Sequence, residues 1–373
     1  MNIAICVTQL SYAMGGVSTH ILDLCKYYSS STEIDNIILC CEGGEHISKL
    51  DLLVKVKYYS VNFESNGMNL KGVYKSYKEF YSAIKKENID LIHVHSQRII
   101  PVCQLIKLIH RIPYIWTNHI DAVPQEKTFK MFCRLFRFPI ISVSIELRNM
   151  MIKQYNCNPN KVFVVNNGTD LDELTPLNID EKSNLEKRWD INREKTPYVI
   201  CLLSRMFYVK GHMTLLKAIN MIPNKEQIKV IFAGHTYPND ISYRNSLIEY
   251  SRDNNIDLKI LDFSKPRDVF GVSDLFCLPS IYEGFPLVCI EALACGCAVI
   301  RSRTPGWQEM QDYVEIVEKN DIEGLSHKIQ LAIENGFNKE KTLRGQKAVR
   351  ERFTKENCAL NTIEIYKKFL KSQ

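Results

Sequence analysis

The chain alternates between two kinds of segment, and that alternation limits its folds more than any other feature. Short apolar runs suited to buried strands recur: NIAICVT (2–8), NIILCC (36–41), DLIHVHS (90–96), IPYIWT (112–117), PIISVS (139–144) and VFVV (162–165). Helical patterns lie between them, as in VSTHILDLCKYY after Gly15-Gly16 and over residues 70–86. Parallel strands need a long crossover to reach one another, and a helix is the usual one. Such a series is therefore confined to a parallel, doubly wound α/β sheet. After Asp170 the texture changes. ELTPLNIDEKSNLEKRWDINREKTP (173–197) is polar and charged and reads as a linker with a short helix. The alternation then restarts with YVICLLS (198–204), a helix from about Lys210, IKVIFAG (228–234), a helix over 241–253, then LKIL, DLFCLP and AVI. At 373 residues the chain exceeds what one core usually absorbs. Two α/β domains are expected, over residues 1–180 and 181–354, followed by an amphipathic helix from residue 355.

Composition narrows the setting. The thirteen cysteines are odd in number and many sit inside apolar runs, which suits reduced thiols in a cytoplasmic protein better than a disulfide framework. Cys295-Gly-Cys297 has no second pair at metal-ligand spacing and reads as packing. The N-terminus lacks the basic and apolar regions of a signal peptide, and no run approaches the roughly 20 apolar residues of a spanning helix. The expected location is the cytoplasm, either free or peripheral on the inner face of the cell membrane. Between residues 98 and 161 there are ten Lys/Arg against three Asp/Glu, although the whole chain carries only +6. That surplus includes KTFKMFCRLFRFP, in which a helix would set Lys127, Lys130, Arg134 and Arg137 on one side. A core helix with one solvated face is one reading; a helix lying on an anionic membrane is the other, and the charge surplus favours it. Nucleic acid is not expected, because the basic residues come without a recognisable binding module.

The stretch SIYEGFPLVCIEALACGCAVI (280–300) carries the chemistry. Pro286 suits the first position of a helix, where a missing N–H costs nothing. Leu287 and Val288 would then present free N–H groups, a ready anion site. Glu283 falls in the preceding turn and Glu291 one to two turns into the helix. Both are pure acceptors when ionised, suited to gripping sugar hydroxyls. Each acid alone could be an ordinary turn or surface residue. Arg205 and Lys210 lie just past a strand end, where open α/β sheets bind ligands.

EGFPLVCIE resembles the E-x7-E motif of retaining glycosyltransferases of the GT-B fold, in particular glycosyltransferase family 4. The likeness spans nearly the whole chain. Gly15-Gly16 is similar to the glycine turn after the first strand, and DLIHVHS and TNHID to later strand ends of the first domain. SIELRNMMIKQYNCNPNKVFVVNNGTDLDEL is similar to the segment before the interdomain linker, and SRMFYVKGH to R-x4-K-G. The resemblance implies two Rossmann-like domains facing a central cleft: the first binds the acceptor, the second the nucleotide sugar, and helix 355–373 packs back onto the first. It implies a retaining, metal-independent transfer from a nucleotide sugar, UDP-sugar favoured over GDP-sugar, to a glycan or lipid-linked acceptor in bacterial surface polysaccharide synthesis, without a cofactor. By the same likeness His119 and Glu283 are the catalytic candidates. Arg205 and Lys210 clamp the pyrophosphate, Glu291 holds the ribose, and Gly15, Gly16, Phe285, Leu287 and Val288 line the donor site. A diphosphate leaving group needs a metal or fixed cations and dipoles, and these residues supply the latter.

Two loops depart from the family pattern. Pro305-Gly306 stands where the family has Gly-Gly upstream of Glu309, and AGHTYP lacks the second glycine after IFAG. Glu309 reads equally as a ligand or a helix cap. Asp170-Leu-Asp172 mimics a D-x-D metal motif, yet its place after Asn167-Gly168 makes it a turn. His93 and His95 are structural or acceptor-lining. The absence of G-x-G-x-x-G argues against a dehydrogenase. Two alternatives stay open: a nucleotide-sugar 2-epimerase of the same fold and a non-catalytic nucleotide-sugar-binding relative.

Overall fold

The computed structural model describes residues 1–66, 69–120 and 126–371. The chain divides into two compact units, one of residues 1–168 together with those from 355 onward, the other of residues 169–354. The first unit runs β1 (Asn2–Cys6), α1 (Gly16–Ser30), β2 (Asn36–Cys41), β3 (Val56–Ser60), α2 (Leu70–Lys86), β4 (Leu91–Val94), α3 (Ile100–His110), β5 (Tyr114–Asn118), α4 (Glu126–Phe136), β6 (Ile140–Ser142), α5 (Ile145–Lys153) and β7 (Val162–Val164). The second runs α6 (Ile179–Arg188), β8 (Tyr198–Leu203), α7 (His212–Asn220), β9 (Ile228–Ala233), α8 (Ile241–Asp253), β10 (Asp257–Leu261), α9 (Pro266–Val272), β11 (Leu275–Leu278), α10 (Leu287–Ala294), β12 (Ala298–Ser302), α11 (Trp307–Met310), β13 (Glu315–Val317), α12 (Ile322–Glu334) and α13 (Lys339–Arg352). Helix α14 (Lys355–Lys371) closes the described chain and belongs to the first unit; residues 372–373 of the expected 355–373 helix lie outside the described residues.

Both sheets are wholly parallel. The first has the order β3-β2-β1-β4-β5-β6-β7 and the second β10-β9-β8-β11-β12-β13. In each the order reverses beside the first strand of the unit, between β1 and β4 and between β8 and β11. At such a switch point neighbouring crossovers leave to opposite faces, opening a crevice at the carboxyl ends of the strands. Period-2 alternation shares the strand residues between two cores. Ala4, Cys6, Ile92, Val94 and Trp116 pack with Phe80 and Ile84 of α2, while Ile3, Ile5, Leu39 and Ile115 pack with Leu24 and Tyr28 of α1. Cys358, Ala359, Ile363 and Tyr366 of α14 complete the second of these layers. All thirteen cysteines are buried as free thiols.

Three expectations need correcting. Pro286 is the N-cap of α10 with extended backbone (φ −72°, ψ 111°), and the helix begins one residue later. Arg137 is not on the basic helix. α4 stops at Phe136, and Arg137 takes a left-handed conformation (φ 43°) that redirects the chain toward β6. The periodicity reading also passed over β3 and β13. Among the described residues no helix is long and apolar enough to cross a membrane.

Candidate functional site

In the second unit the loop after β8 carries Arg205 and Lys210, and the loop after β11 carries Glu283. The two loops meet at the switch point. Ile281 N–H donates to the Val209 carbonyl at 2.8 Å. Gly211 sits at φ +80°, and a Cβ there would lie 2.2 Å from the Pro279 carbonyl oxygen. Only glycine tolerates both that dihedral and that approach, so the glycine of the K-G pair is what lets the loops touch. The result is a 2.8 Å ion pair between Lys210 Nζ and Glu283 Oε1, residues 73 apart in sequence.

Arg205 is held by a different partner, one that sequence reasoning missed. Asp240 Oδ2 accepts from Arg205 Nε and Nη2, each at 3.0 Å. The guanidinium lies against the rings of Phe207 and Tyr237, 4.5 and 4.9 Å from their centroids. Asp240 occupies the N-cap position of α8 yet caps nothing with its side chain. In sequence it looks like an ordinary helix start, so no local signal marks it.

α10 opens without a side-chain cap, and its first internal backbone bond runs from Cys289 N–H to the Pro286 carbonyl. Leu287 and Val288 stand ahead of that donor, so their N–H groups have no preceding turn to bond. Leu287 and Phe285 are themselves buried. Phe285 packs its ring on Phe353, 5.4 Å between centroids, so what it offers a ligand is backbone. Glu291 is half-buried on α10. The departing loop Pro305-Gly306 is shaped by Arg301, a second residue that sequence reasoning passed over. This fully buried guanidinium donates through Nη2 to the carbonyls of Thr304 and Pro305 at 2.8 and 2.9 Å and to Thr304 Oγ1 at 2.7 Å. Glu309 is buried on α11. Asp172 N–H donates to Asp170 Oδ1, an Asx turn.

In the first unit Gly15 is the N-cap of α1 and Gly16 its first residue. Gly15 takes φ 53°, ψ −128° in open space, so its need for glycine is conformational. His119, just past β5, shares a hydrogen bond with His95, just past β4: His119 Nε2 and His95 Nδ1 are 2.9 Å apart. His20 of α1 packs its ring 5.1 Å from that of His119 and 5.5 Å from that of His95. His93 has both nitrogens engaged, Nδ1 accepting from Tyr366 Oη and Nε2 paired with Thr117 Oγ1 at 2.6 Å. Burial pushes His20 down to about 4 and His93 to about 3, and holds His95 well below the usual imidazole range. Desolvation, helped by His20 and His93, lowers His119 too, so the rings are neutral at pH 7. Asp121 of the TNHID segment lies outside the described residues.

Two doubly wound parallel sheets, the second with the Lys210–Glu283 pair at its switch point, have the GT-B fold. Comparison with known proteins agrees. The family described as glycosyl transferases group 1 matches residues 183–352, and glycosyltransferase family 4 matches residues 14–173. The chain belongs to the group 1, family 4 glycosyltransferases. It is 25% identical over 317 residues to the UDP-Gal:alpha-D-GlcNAc-diphosphoundecaprenol alpha-1,3-galactosyltransferase of Escherichia coli, covering 79% of this chain and 78% of that protein. Its fold matches a glycosyltransferase from Rickettsia africae ESF-5 with a TM-score of 0.87 at 21% identity, over 100% of this chain and 99% of that one. It also matches Anabaena HepE, solved in complex with UDP and glucose, with a TM-score of 0.81 at 20% identity, over 99% of this chain and 100% of that one.

Proposed function

We propose that this glycosyltransferase moves a sugar from a UDP-sugar to a glycan or lipid-linked acceptor with retention of anomeric configuration, in surface polysaccharide synthesis. The observation that carries the reading is the Lys210–Glu283 pair at the second switch point, beside a helix start that no side chain caps. A sugar diphosphate brings two things to such a place, negative charge and hydroxyls. Arg205 and Lys210 take the diphosphate, the former through the guanidinium edge that Asp240 leaves open. The Leu287 and Val288 N–H groups add fixed dipoles aimed where charge grows as the sugar departs. Glu283 accepts from donor-sugar hydroxyls and Glu291 from the ribose. No metal is required, because the fixed cations neutralise the leaving group. The departing phosphate oxygen takes the acceptor proton on the face from which the acceptor attacks, which retains configuration. His119, neutral near pH 7, orients a donor hydroxyl or steadies the positive charge on the sugar. The UDP-Gal in the name of the Escherichia coli relative and the UDP in the Anabaena complex favour uracil as the base.

A panel of UDP, GDP, ADP and CMP in a thermal melt tests this. UDP is expected to raise the melting temperature, and Arg205→Ala to lose that shift, since a ligand at about 100 times its dissociation constant stabilises by roughly 2.7 kcal/mol. No shift from any nucleotide at millimolar concentration would remove the donor site. Product analysis with and without acceptor then separates transfer from 2-epimerisation.

The lipid in the relative's acceptor name fits the outer face of α4. Lys127, Lys130 and Arg134 are exposed there together with Met131 (64%) and Leu135 (68%), while Phe129 and Cys133 are buried. Exposed apolar side chains interleaved with cations suit a surface that is both anionic and apolar beneath its headgroups. Full-length protein should co-sediment with phosphatidylglycerol vesicles at low salt, and Lys130→Glu with Arg134→Glu should release it. Equal sedimentation of the two proteins would leave α4 an ordinary solvated helix.

A further inference from the structure

His20, His95 and His119 come from three different elements, α1 and the ends of β4 and β5, and converge. One ring nitrogen from each lies within 4.8 Å of those of the other two. We infer that these three imidazoles bind a borderline transition-metal ion, Zn2+ fitting best, and that the bound ion blocks sugar transfer.

The ligand set argues for the class of ion. It holds only nitrogen donors, which suit zinc, cobalt, nickel and copper and do not suit magnesium or calcium. Three histidines with one open position are a common tetrahedral zinc arrangement. The spacing needs little change. Zn–N bonds of about 2.0–2.1 Å at a tetrahedral angle put ligand nitrogens about 3.4 Å apart, against 2.9 Å between His95 Nδ1 and His119 Nε2. The His95–His119 pair would open by a few tenths of an ångström, and the His20 nitrogen, within 4.8 Å of both, would close on the ion.

The rings have unspent capacity. His95 Nε2 is buried and makes no hydrogen bond. That nitrogen can carry the ring's proton while Nδ1, the atom facing His119, binds the ion. His20 Nδ1 faces Cys358 Sγ at 3.9 Å, so a ring bound through its other nitrogen would keep an outer partner that fixes its tautomer. His93 is excluded, because Tyr366 and Thr117 occupy both of its nitrogens. Neutral imidazoles carry the lone pair that a metal needs. Of the two rings in the His95–His119 bond, the donor must move its proton to its other nitrogen, and no proton is lost. His20 and His95 are buried while His119 is partly exposed, which leaves a path for the ion.

The inhibitory part rests on the proposed role of His119: a lone pair given to zinc cannot serve a donor sugar. The site itself does not depend on that role.

Metal binding is measured on the full chain without any donor. Zn2+ at about 100 times its dissociation constant should raise the melting temperature by several degrees, Mg2+ should leave it unchanged, and Co2+ should develop the visible absorption of a tetrahedral site. His20→Ala should lose the zinc shift and the cobalt spectrum while residues 1–168 stay protected from limited proteolysis, which reports a folded first unit, and while retaining the UDP shift of the second. His327→Ala, altering an exposed histidine of α12, should keep all of these. Zinc should reduce wild-type transfer by about tenfold or more, with recovery on chelation. No zinc-specific shift, or one that persists in His20→Ala, overturns the site. Zinc binding that depends on His20 but leaves wild-type transfer intact overturns the inhibition. Absence of the UDP shift would instead strike the donor reading and leave the zinc measurement standing.

Discussion

Lys210→Ala is expected to lower kcat for sugar transfer by about 10²–10³-fold, and Glu283→Gln by a similar factor, in proteins that remain folded. The physical reason lies in what each group does as the carbon–oxygen bond to phosphate breaks. The ammonium of Lys210 is already fixed by Glu283 at 2.8 Å, so it meets the growing charge without first being reorganised from solvent. Removing it takes away a preorganised cation. Converting Glu283 to an amide removes the charge that fixes that cation and leaves the sugar hydroxyl a weaker, neutral acceptor. Because the two groups act as one unit, the losses should not add: the double variant should fall close to the worse single variant. Each change also leaves a partner without its counter-charge. Glu283 has a side chain only 10% exposed, so Lys210→Ala should cost about 1–3 kcal/mol of stability as well. Steady-state kinetics at saturating donor, alongside melts of the same preparations, decide the matter. Retention of kcat within tenfold in Lys210→Ala would remove Lys210 from the reaction.

Ending the chain after Thr354 should abolish the folded first unit while the second persists. Helix α14 is the last described element, yet it supplies part of the first unit's core. Cys358, Ala359, Ile363 and Tyr366 are all at most 4% exposed and pack with Ile21, Leu24 and Tyr28. Fully burying one large apolar side chain is worth about 1.5–3 kcal/mol. Losing the helix and uncovering the residues beneath it forfeits on the order of 10 kcal/mol, the whole stability of a typical domain. Tyr366 adds a polar term, accepting from Tyr28 Oη at 3.2 Å and donating to His93 Nδ1. Its replacement by Phe leaves two buried groups unpaired and should cost about 1–3 kcal/mol, a milder version of the same defect. Limited proteolysis of the truncated chain should yield a protected fragment from residues 169–354 and none from residues 1–168. Protection of both would mean that α14 only decorates the first unit.

How much of this was legible in the residues follows from the range over which each cause acts. β1, β2, β4, β5, β8, β9 and β11 are continuous apolar runs because both of their faces are covered, and such runs announce themselves. β3 does not. VKYYS lies at a sheet edge with three of its five residues exposed, so its pattern carries no burial signal. β13 is three residues long and opens on the charged Glu315, with Glu318 directly after it, so no apolar run marks it. The helix over 287–294, placed to within one residue, and the glycine turn at 15–16 were readable, because backbone conformation is a local choice. The position of α4 was readable and its end was not: basic residues at steps of three and four continue through Arg137, while the backbone turns at φ 43°.

The sequence by itself determined the two α/β units, the glycine turns and the residue types able to hold a sugar diphosphate, since these depend on neighbours a few positions away. Only the tertiary structure decided which of them meet. Lys210 finds Glu283 across 73 residues because β8 and β11 lie side by side at the switch point. Arg205 finds Asp240 because that residue leaves its cap duty undone. His20 joins His95 and His119 because α1 packs over the ends of two strands that follow it by some 70 and 95 residues in the chain. Such pairings are set by strand order and helix packing, and local sequence holds no record of either.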